Sequence, residues 1–527
     1  MSSFLASLVL LAPLALITVA LLSFSEPGLR PNRILKMSRL ATIGAFLLAL
    51  GGAILVALAG ALTSPVIGIG EFGFSVRLDA LSGVMLLLVS FVGVIVVRFS
   101  RHYLDGDARQ GVFIGRLCLT LAAVMLLVSA GNLLQLVVAW IATSLALHSL
   151  LLFYPERPAA IIAARKKFIT ARIGDACLIG AVILLFQGFG TLDIADILTQ
   201  ARNTQDGMRP PGIALATLLI AIAALLKSAQ FPTHGWLPEV METPTPVSAL
   251  LHAGIINAGG FLVIRFADVM LLSMPSLHFI AIVGGFTALF GGVVMLTQPS
   301  VKVSLAWSTV AQMGFMLLQC GLGAFSMAVL HIVAHSLYKA HAFLSSGSVI
   351  DIAKTAWTPD LKARPSMGLL FLSLALALGL YAGIGGLFSA LVDEAFTVLA
   401  LGMILIMGLT LLIAQSMQGE TQMEVVGRTL VAAAFATGIY FVLQAAAGWL
   451  LSPALPPIPT PDMAGFAIMA LAVVSFAAVT VLQVLAPVWL DSPTWRAARV
   501  HIANGLYANT LFNRIVSTRK LLSRNPS

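Results

Sequence analysis

The amino-acid sequence predicts an all-α, polytopic membrane protein of about 15 transmembrane helices, and three observations predict it. Of 527 residues, 59% are hydrophobic and only 10% are charged, with a mean hydropathy of +1.01. A soluble chain carries roughly 25% charged residues, so this one has too few to cover a water-facing surface. Apolar runs of about 20 residues, long enough to span the hydrocarbon core, recur along the whole chain. Basic residues gather in alternate loops. These features exclude a disordered chain, a disulfide-stapled scaffold and an ordinary cytosolic enzyme. The net charge of +9 is what membrane topology asks of cytoplasmic loops, and it does not point to nucleic acid.

The first run, 4–23, has no Lys or Arg before it, lacks the basic region of a secretory signal, and reads as a retained helix. Further runs follow at 40–62, 78–97, 112–130, 133–153, 168–187, 212–228, 247–265, 278–297, 304–322, 324–350, 367–391, 395–416, 428–452 and 463–489. With the N-terminus outside, 22 of the 30 Lys and Arg residues fall in alternate loops and the tail, the group Arg157, Arg165, Lys166 and Lys167 among them. Only Arg77, Arg202, Arg209 and Arg265 fall on the opposite side. The expected topology is therefore N-terminus outside and C-terminus cytoplasmic. Cys118, Cys177 and Cys320 are far apart, without metal-ligand spacing, and disulfides are not expected. Segment 492–524 intersperses basic residues with Ile502, Leu506, Leu511, Phe512, Ile515 and Leu521. Two readings stand for it: amphipathic helices at an interface or a partner, or a basic tail held near headgroups.

Charged groups inside an apolar span are expensive and ordinarily face a wet path or a partner. Segment 324–350 places His331, His335 and Lys339 four residues apart, hence on one helical face, with His341 off that face. Imidazoles titrate near neutral pH and a desolvated Lys can release its proton, so the stripe suits a proton relay; a packed polar seam is the alternative. Residues 224–260 read ALLKSAQFPTHGWLPEVMETPTPVSALLHAGIINAGG. Lys227 ends an apolar run, and Pro232, Pro238, Pro244 and Pro246 then forbid a continuous helix. Such a break at membrane depth needs protein or water around it. The negative end of the half-helix favours a protonated Lys227, and His252 lies where it would accept from that lysine. Glu239 and Glu242 stand either as solvated loop residues or as a proton-uptake site at the cytoplasmic mouth. Arg172 and Asp175, three residues apart, form a structural ion pair or a moving charge. His148 is a structural or a relay histidine, and Lys302 either joins two halves of a path or snorkels. No metal site, Ser/His/Asp arrangement, phosphate loop or dinucleotide fingerprint is present, so no cofactor is expected.

The stretch KSAQFPTHGWLPEVMETPTPVSALLHAGIINAGGFLVIR resembles the helix 7–8 signature of antiporter-like subunits of respiratory complex I and Mrp cation/proton antiporters, and LAWSTVAQMGF with LHIVAHSLYKAHAFLSSGSVI resembles helices 10 and 11. The resemblance implies N-terminal helices 1–3 in 1–110, two inverted five-helix repeats with broken helices in 111–267 and 268–416, two further helices in 417–490 and a basic amphipathic tail in 491–527. It implies ion translocation through Lys227, His252, Lys302, His331, His335 and Lys339, and it matches Arg172 and Asp175 to the family's helix 6 R-x-G-D element. Two departures stand out. The family's helix 5 Trp-Glu is here Trp140-Ile141, and the segment 367–391 carries no exit lysine or glutamate, leaving Asp393 and Glu394 just beyond it as candidates.

The missing Glu, the KAHAFL variant and the ending WRAARVHIANGLYANTLFNR are similar to the DabB-type membrane subunits of inorganic-carbon accumulation complexes. That likeness implies an inner-membrane, non-enzymatic subunit that conducts protons or sodium ions. It also implies a cytoplasmic DabA-like partner, with a zinc site related to β-carbonic anhydrases, that hydrates CO2 to bicarbonate. A proton-pumping subunit of a complex I or membrane-hydrogenase machine is the competing expectation, and a passive anchor with a vestigial axis is the third.

Overall fold

The computed structural model describes residues 2–69, 72–204, 208–347, 367–388, 395–417, 423–489 and 492–517. In chain order the principal helices are α1 (Ser3–Leu22), α2 (Asn32–Ala59), α3 (Ala80–Tyr103), α4 (Gln110–Val128), α5 (Leu133–Leu151) and α6 (Pro158–Phe189). The short α7 (Ile194–Arg202) and α8 (Ile213–Lys227) follow. Next come α9 (Thr245–Ala253), α10 (Ala258–Arg265), α11 (Met274–Met295), α12 (Val301–Gly321) and α13 (Phe325–Leu344). The last part holds α14 (Met367–Phe388), α15 (Phe396–Ser416), α16 (Met423–Leu451), α17 (Met463–Trp489), α18 (Pro493–Ala503) and α19 (Ala508–Ser517). Thirteen spans among the described residues are long and apolar enough to cross a membrane, α9 and α10 counting as one. The other two predicted segments are helical as well. The α8 helix has only 15 residues, and α13 carries the polar stripe that lowers its hydropathy.

Local sequence explains the boundaries. Asp79 caps α3 in a reciprocal capping box with Ser82, and the Asn132 side chain caps α5. Pro158 opens α6 and Gly190 closes it in the left-handed region. That early start corrects the loop assignment of Lys166 and Lys167, which are 0% and 5% exposed inside α6. A proline at the first helical position loses no helix hydrogen bond, so the helix runs ten residues further toward the basic side than hydropathy suggests. The loop between α2 and α3 holds the only strands among the described residues, Leu62–Thr63 paired with Arg77–Leu78 and Ile67–Ile69 with Phe72–Phe74.

Contacts sort the loops into two faces. Arg30 pairs with Asp105 at 3.0 Å, the Tyr154 hydroxyl donates to Asp107 at 3.0 Å, and Gln298 Nε2 donates to the Ala503 carbonyl at 3.1 Å, which gathers the basic loops and the tail on one face. On the other, bridges join Val76 to Ala130 and Asn132 to Asp193, and Arg202 pairs with Asp268 at 2.9 Å. At 1.5 Å per residue α8 covers about 22 Å, less than the ~30 Å hydrocarbon thickness, so its end at Lys227 lies within the membrane. The return to the basic face runs through short turns at Thr233–Gly235, Trp236–Glu239 and Val240–Glu242. A second break, Ile255–Asn257, separates α9 from α10 beside it. Gly259 makes this crossing possible, because a Cβ there would stand 2.3 Å from the Ala224 carbonyl and the Ser228 hydroxyl. The broken pair is the centre of the bundle: α9 and α10 are buried throughout, whereas α14, α16 and α17 present most of their apolar surface outward.

Candidate functional site

Two polar clusters lie in the bundle interior. The first surrounds Lys227. Its Nζ donates to the Trp140 carbonyl at 3.3 Å and sits 4.2 Å from the centroid of the Trp140 ring. The family's helix 5 acid is thus replaced by a backbone dipole and an aromatic face. An acid on α6 acts on it instead: Asp175 pairs with Arg172 at 2.6 Å and interacts electrostatically with Lys227 and Lys167. Lys167 is held by Ser144, donating to its carbonyl at 2.6 Å and its hydroxyl at 2.9 Å. His148 is nearby, its ring 5.1 Å from Phe168.

The second cluster joins α9, α12 and α13. Lys339 is fully buried and donates to the Leu305 carbonyl at 2.9 Å. The Thr309 hydroxyl donates to the same carbonyl at 3.1 Å and lies 2.9 Å from His252 Nδ1. With its proton directed at Leu305, Thr309 accepts from His252, which assigns the proton to Nδ1 and leaves Nε2 as a free lone pair. His252 stacks on Phe343 at 4.4 Å. The His335 ring is 6.1 Å from that of His331. His331 in turn lines a cavity of about 600 Å³ with Gln319, Tyr440 and Gln444. The i, i+4 stripe therefore does share one face, running from that cavity to Lys339.

The mouth on the basic face is built by three distant segments. Lys166 Nζ pairs with Glu239 at 2.6 Å and donates to Asn509 Oδ1 at 2.7 Å, and Asn509 Nδ2 returns a bond to Glu239 at 2.5 Å. Asn513 adds a longer bond to Glu239 at 3.4 Å. Gly235 lets the tail this close, since a Cβ there would meet Asn509 Oδ1 at 2.0 Å. The tail is thus two helices, α18 and α19, docked over the break in the α8–α9 connection. Lys302 lies at the same face and donates to the Thr245 hydroxyl at 3.2 Å.

Several expected neighbours are not joined. Among the described residues no hydrogen bond links His252 to Lys227; the break at Ile255–Asn257 turns α9 so that His252 meets Thr309 on α12. Nor is there a direct Lys302–Lys339 bond among the described residues: Lys302, in the first turn of α12, donates to Thr245 at the start of α9, whereas Lys339 on α13 donates to the Leu305 carbonyl of α12. Glu242 ends a 3-10 turn, and its side chain is outside the described set. Asp393 and Glu394 lie outside the described residues. Sequence reasoning missed Lys167, Asn509 and His234. The last is 0% exposed, packed on Phe231 at 5.6 Å and Trp307 at 5.1 Å. A helix start at Pro158 is the signal that would have placed Lys167 in the bundle. Among the described residues no group of three His, Cys, Asp or Glu side chains is placed to hold a metal ion.

Residues 130–384 match the family described as NADH:quinone oxidoreductase/Mrp antiporter, transmembrane, and residues 67–114 match the complex I chain 5 N-terminus. The Mrp complex from Dietzia sp. shares the fold over 97% of this chain and 60% of its own, at a TM-score of 0.63 and 23% identity. An archaeal membrane-bound sulfane sulfur reductase does so over 97% and 99%, at 0.57 and 18%. Fold and site define an antiporter-like, ion-conducting subunit that passes many times through the cell inner membrane. The probable inorganic carbon transporter subunit DabB2 of Halothiobacillus neapolitanus is 39% identical over 456 residues, covering 85% of this chain and 81% of that protein. The corresponding DabB of Hydrogenovibrio crunogenus is 42% identical over 363 residues, 67% of each. The chain belongs to this DabB family of antiporter-like membrane subunits.

Proposed function

We propose that this chain conducts a cation, a proton or alternatively a sodium ion, within an inorganic-carbon uptake complex. Its gradient would make CO2 hydration to bicarbonate one-way in a cytoplasmic, zinc-bearing partner of the DabA type. The observation that carries the reading is the way the two interior lysines are held. Lys227 and Lys339 donate to the backbone carbonyls of Trp140 and Leu305, not to carboxylates. A lysine locked to a buried acid cannot lose its proton without stranding that acid, whereas one on a carbonyl can cycle between charged and neutral forms. Two such groups, with the imidazoles of His252, His331 and His335 between α9 and α13, suit transfer along a wet path.

The distribution of basic residues supports this direction of flow: with the N-terminus outside, the basic loops and tail would face the cytoplasm, where the partner would work. A cation falling through 100 mV releases about 2.3 kcal/mol, a bias on the order of fiftyfold in an equilibrium. The test is growth in air of a host lacking carbonic anhydrase, carrying this subunit with its partner. Rescue that survives Lys227→Ala and Lys339→Ala in assembled complexes would defeat the conducting role. Co-purification with quinone-oxidoreductase subunits in place of a zinc protein would favour the complex I-type alternative.

A further inference from the structure

We propose that Lys167 is the relay residue that passes protons from the basic-face mouth to Lys227 through a single water, a role that rests on the conducting function above. Lys166 and Lys167 are adjacent on α6, and successive residues of a helix diverge by about 100°. Lys166 therefore turns to Glu239 at the mouth, and Lys167 turns inward to Ser144. The two lysines are the outer and inner sides of the same helical turn.

A cavity of about 20 Å³ separates Lys167 from Lys227. That is the volume of roughly one water, which requires two to four polar partners. Lys167 and Lys227 both line it and would supply two of them, while Leu147, Leu226, Leu251 and Ile256 make most of its wall apolar. Lys167 spends two of its three donors on Ser144, leaving one for the water.

Charge supplies the direction. In this cluster Asp175 is paired with Arg172, so two ammonium groups at Lys167 and Lys227 would have to share that one carboxylate with a third cation. Their mutual repulsion across a low-dielectric gap favours handing the proton on over holding both. In the step, Lys167 ammonium donates to the water as the water donates to neutral Lys227. The products are neutral Lys167, the same water and Lys227 ammonium, with no net change in atoms or charge.

The experiment uses the purified complex in liposomes under an imposed potassium diffusion potential, with a pH-sensitive dye inside. Lys167→Met and Lys167→Arg are both expected to lower proton flux on the order of a hundredfold, the loss of a positioned proton-transfer group. Arginine keeps the charge and the donors to Ser144 but does not release its proton at working pH. Ala171→Leu, which fills the cavity and keeps both lysines, is expected to slow flux as well. Added methylamine should restore part of the flux in Lys167→Ala. Wild-type flux in Lys167→Arg, with Lys227→Ala silent, would make Lys167 a structural donor and overturn the relay. If Lys167→Met fails to assemble, Lys167→Arg and Ala171→Leu decide. Full flux in Lys227→Ala would instead bring down the conducting function itself.

Discussion

Arg265, in the last turn of α10, donates to Asp79, the cap of α3, at 2.5 Å across 186 residues of chain. Arg77 binds the same carboxylate at 2.9 Å, and the Ser82 N–H donates to it at 2.9 Å. Burial by itself would raise the Asp79 carboxyl, but the two guanidinium groups outweigh it and hold it well below the usual carboxylate range. A depressed folded value means this contribution is fully present above the ordinary value of about 3.9 and is lost as pH falls below it. The thermal midpoint of the purified protein should thus stay flat down to about pH 4 with respect to this group and drop beneath it. Asp79→Asn should cost about 3–5 kcal/mol, since it leaves buried Arg265 unpaired, and should flatten the acid limb. Thermal scans across pH on both proteins check this, and an unchanged acid limb in Asp79→Asn would refute it.

Lys227 and Lys339 are expected to tolerate no replacement. Alanine removes the proton carrier, and arginine keeps a charge that it does not give up. Growth rescue in air should fail for all four single variants while co-purification with the partner persists. Rescue by either arginine variant would mean that charge, not proton exchange, is what the position supplies.

Thr309 bridges His252 and the carbonyl that Lys339 uses. Thr309→Val keeps the shape and removes the hydroxyl, leaving His252 Nδ1–H without its acceptor. A stability loss of about 1–3 kcal/mol follows from that orphaned donor. Flux should fall together with it, whereas Thr309→Ser should behave as wild type. Unfolding curves and liposome flux on the same preparations are the measurements.

The tail should detach when its seat is filled. Gly235→Val places side-chain atoms where Asn509 lies, and Glu239→Gln removes the acid that Lys166 and Asn509 share. Limited proteolysis should then cut within 493–517 faster than in the wild type. Equal cutting rates would show that the Asn509 contacts do not hold the tail.

An uncoupler that collapses the proton gradient should stop bicarbonate accumulation by cells that depend on this complex. Labelled inorganic carbon uptake, with and without the uncoupler, measures it. Uptake that continues unchanged would remove protons as the driving ion, and a sodium ionophore would then be the next arm.

Local chemistry made much of this protein legible before any coordinates. Hydropathy and the scarcity of charge identified about fifteen helical segments, thirteen spans among the described residues being long and apolar enough to cross a membrane, because burying backbone in lipid leaves helices as the economical choice. The four-residue spacing of His331, His335 and Lys339 placed them on one face because a helix repeats every 3.6 residues. The proline cluster after Lys227 marked the broken helix because proline cannot continue one. These are short-range rules. The pairing of Asp79 with Arg265, the choice of the Trp140 carbonyl as the partner of Lys227, the burial of Lys167 and the reach of Asn509 to Lys166 join positions far apart in sequence. Composition and periodicity carry no information on which distant faces meet, since that depends on how whole helices pack. For these contacts only the tertiary structure was decisive.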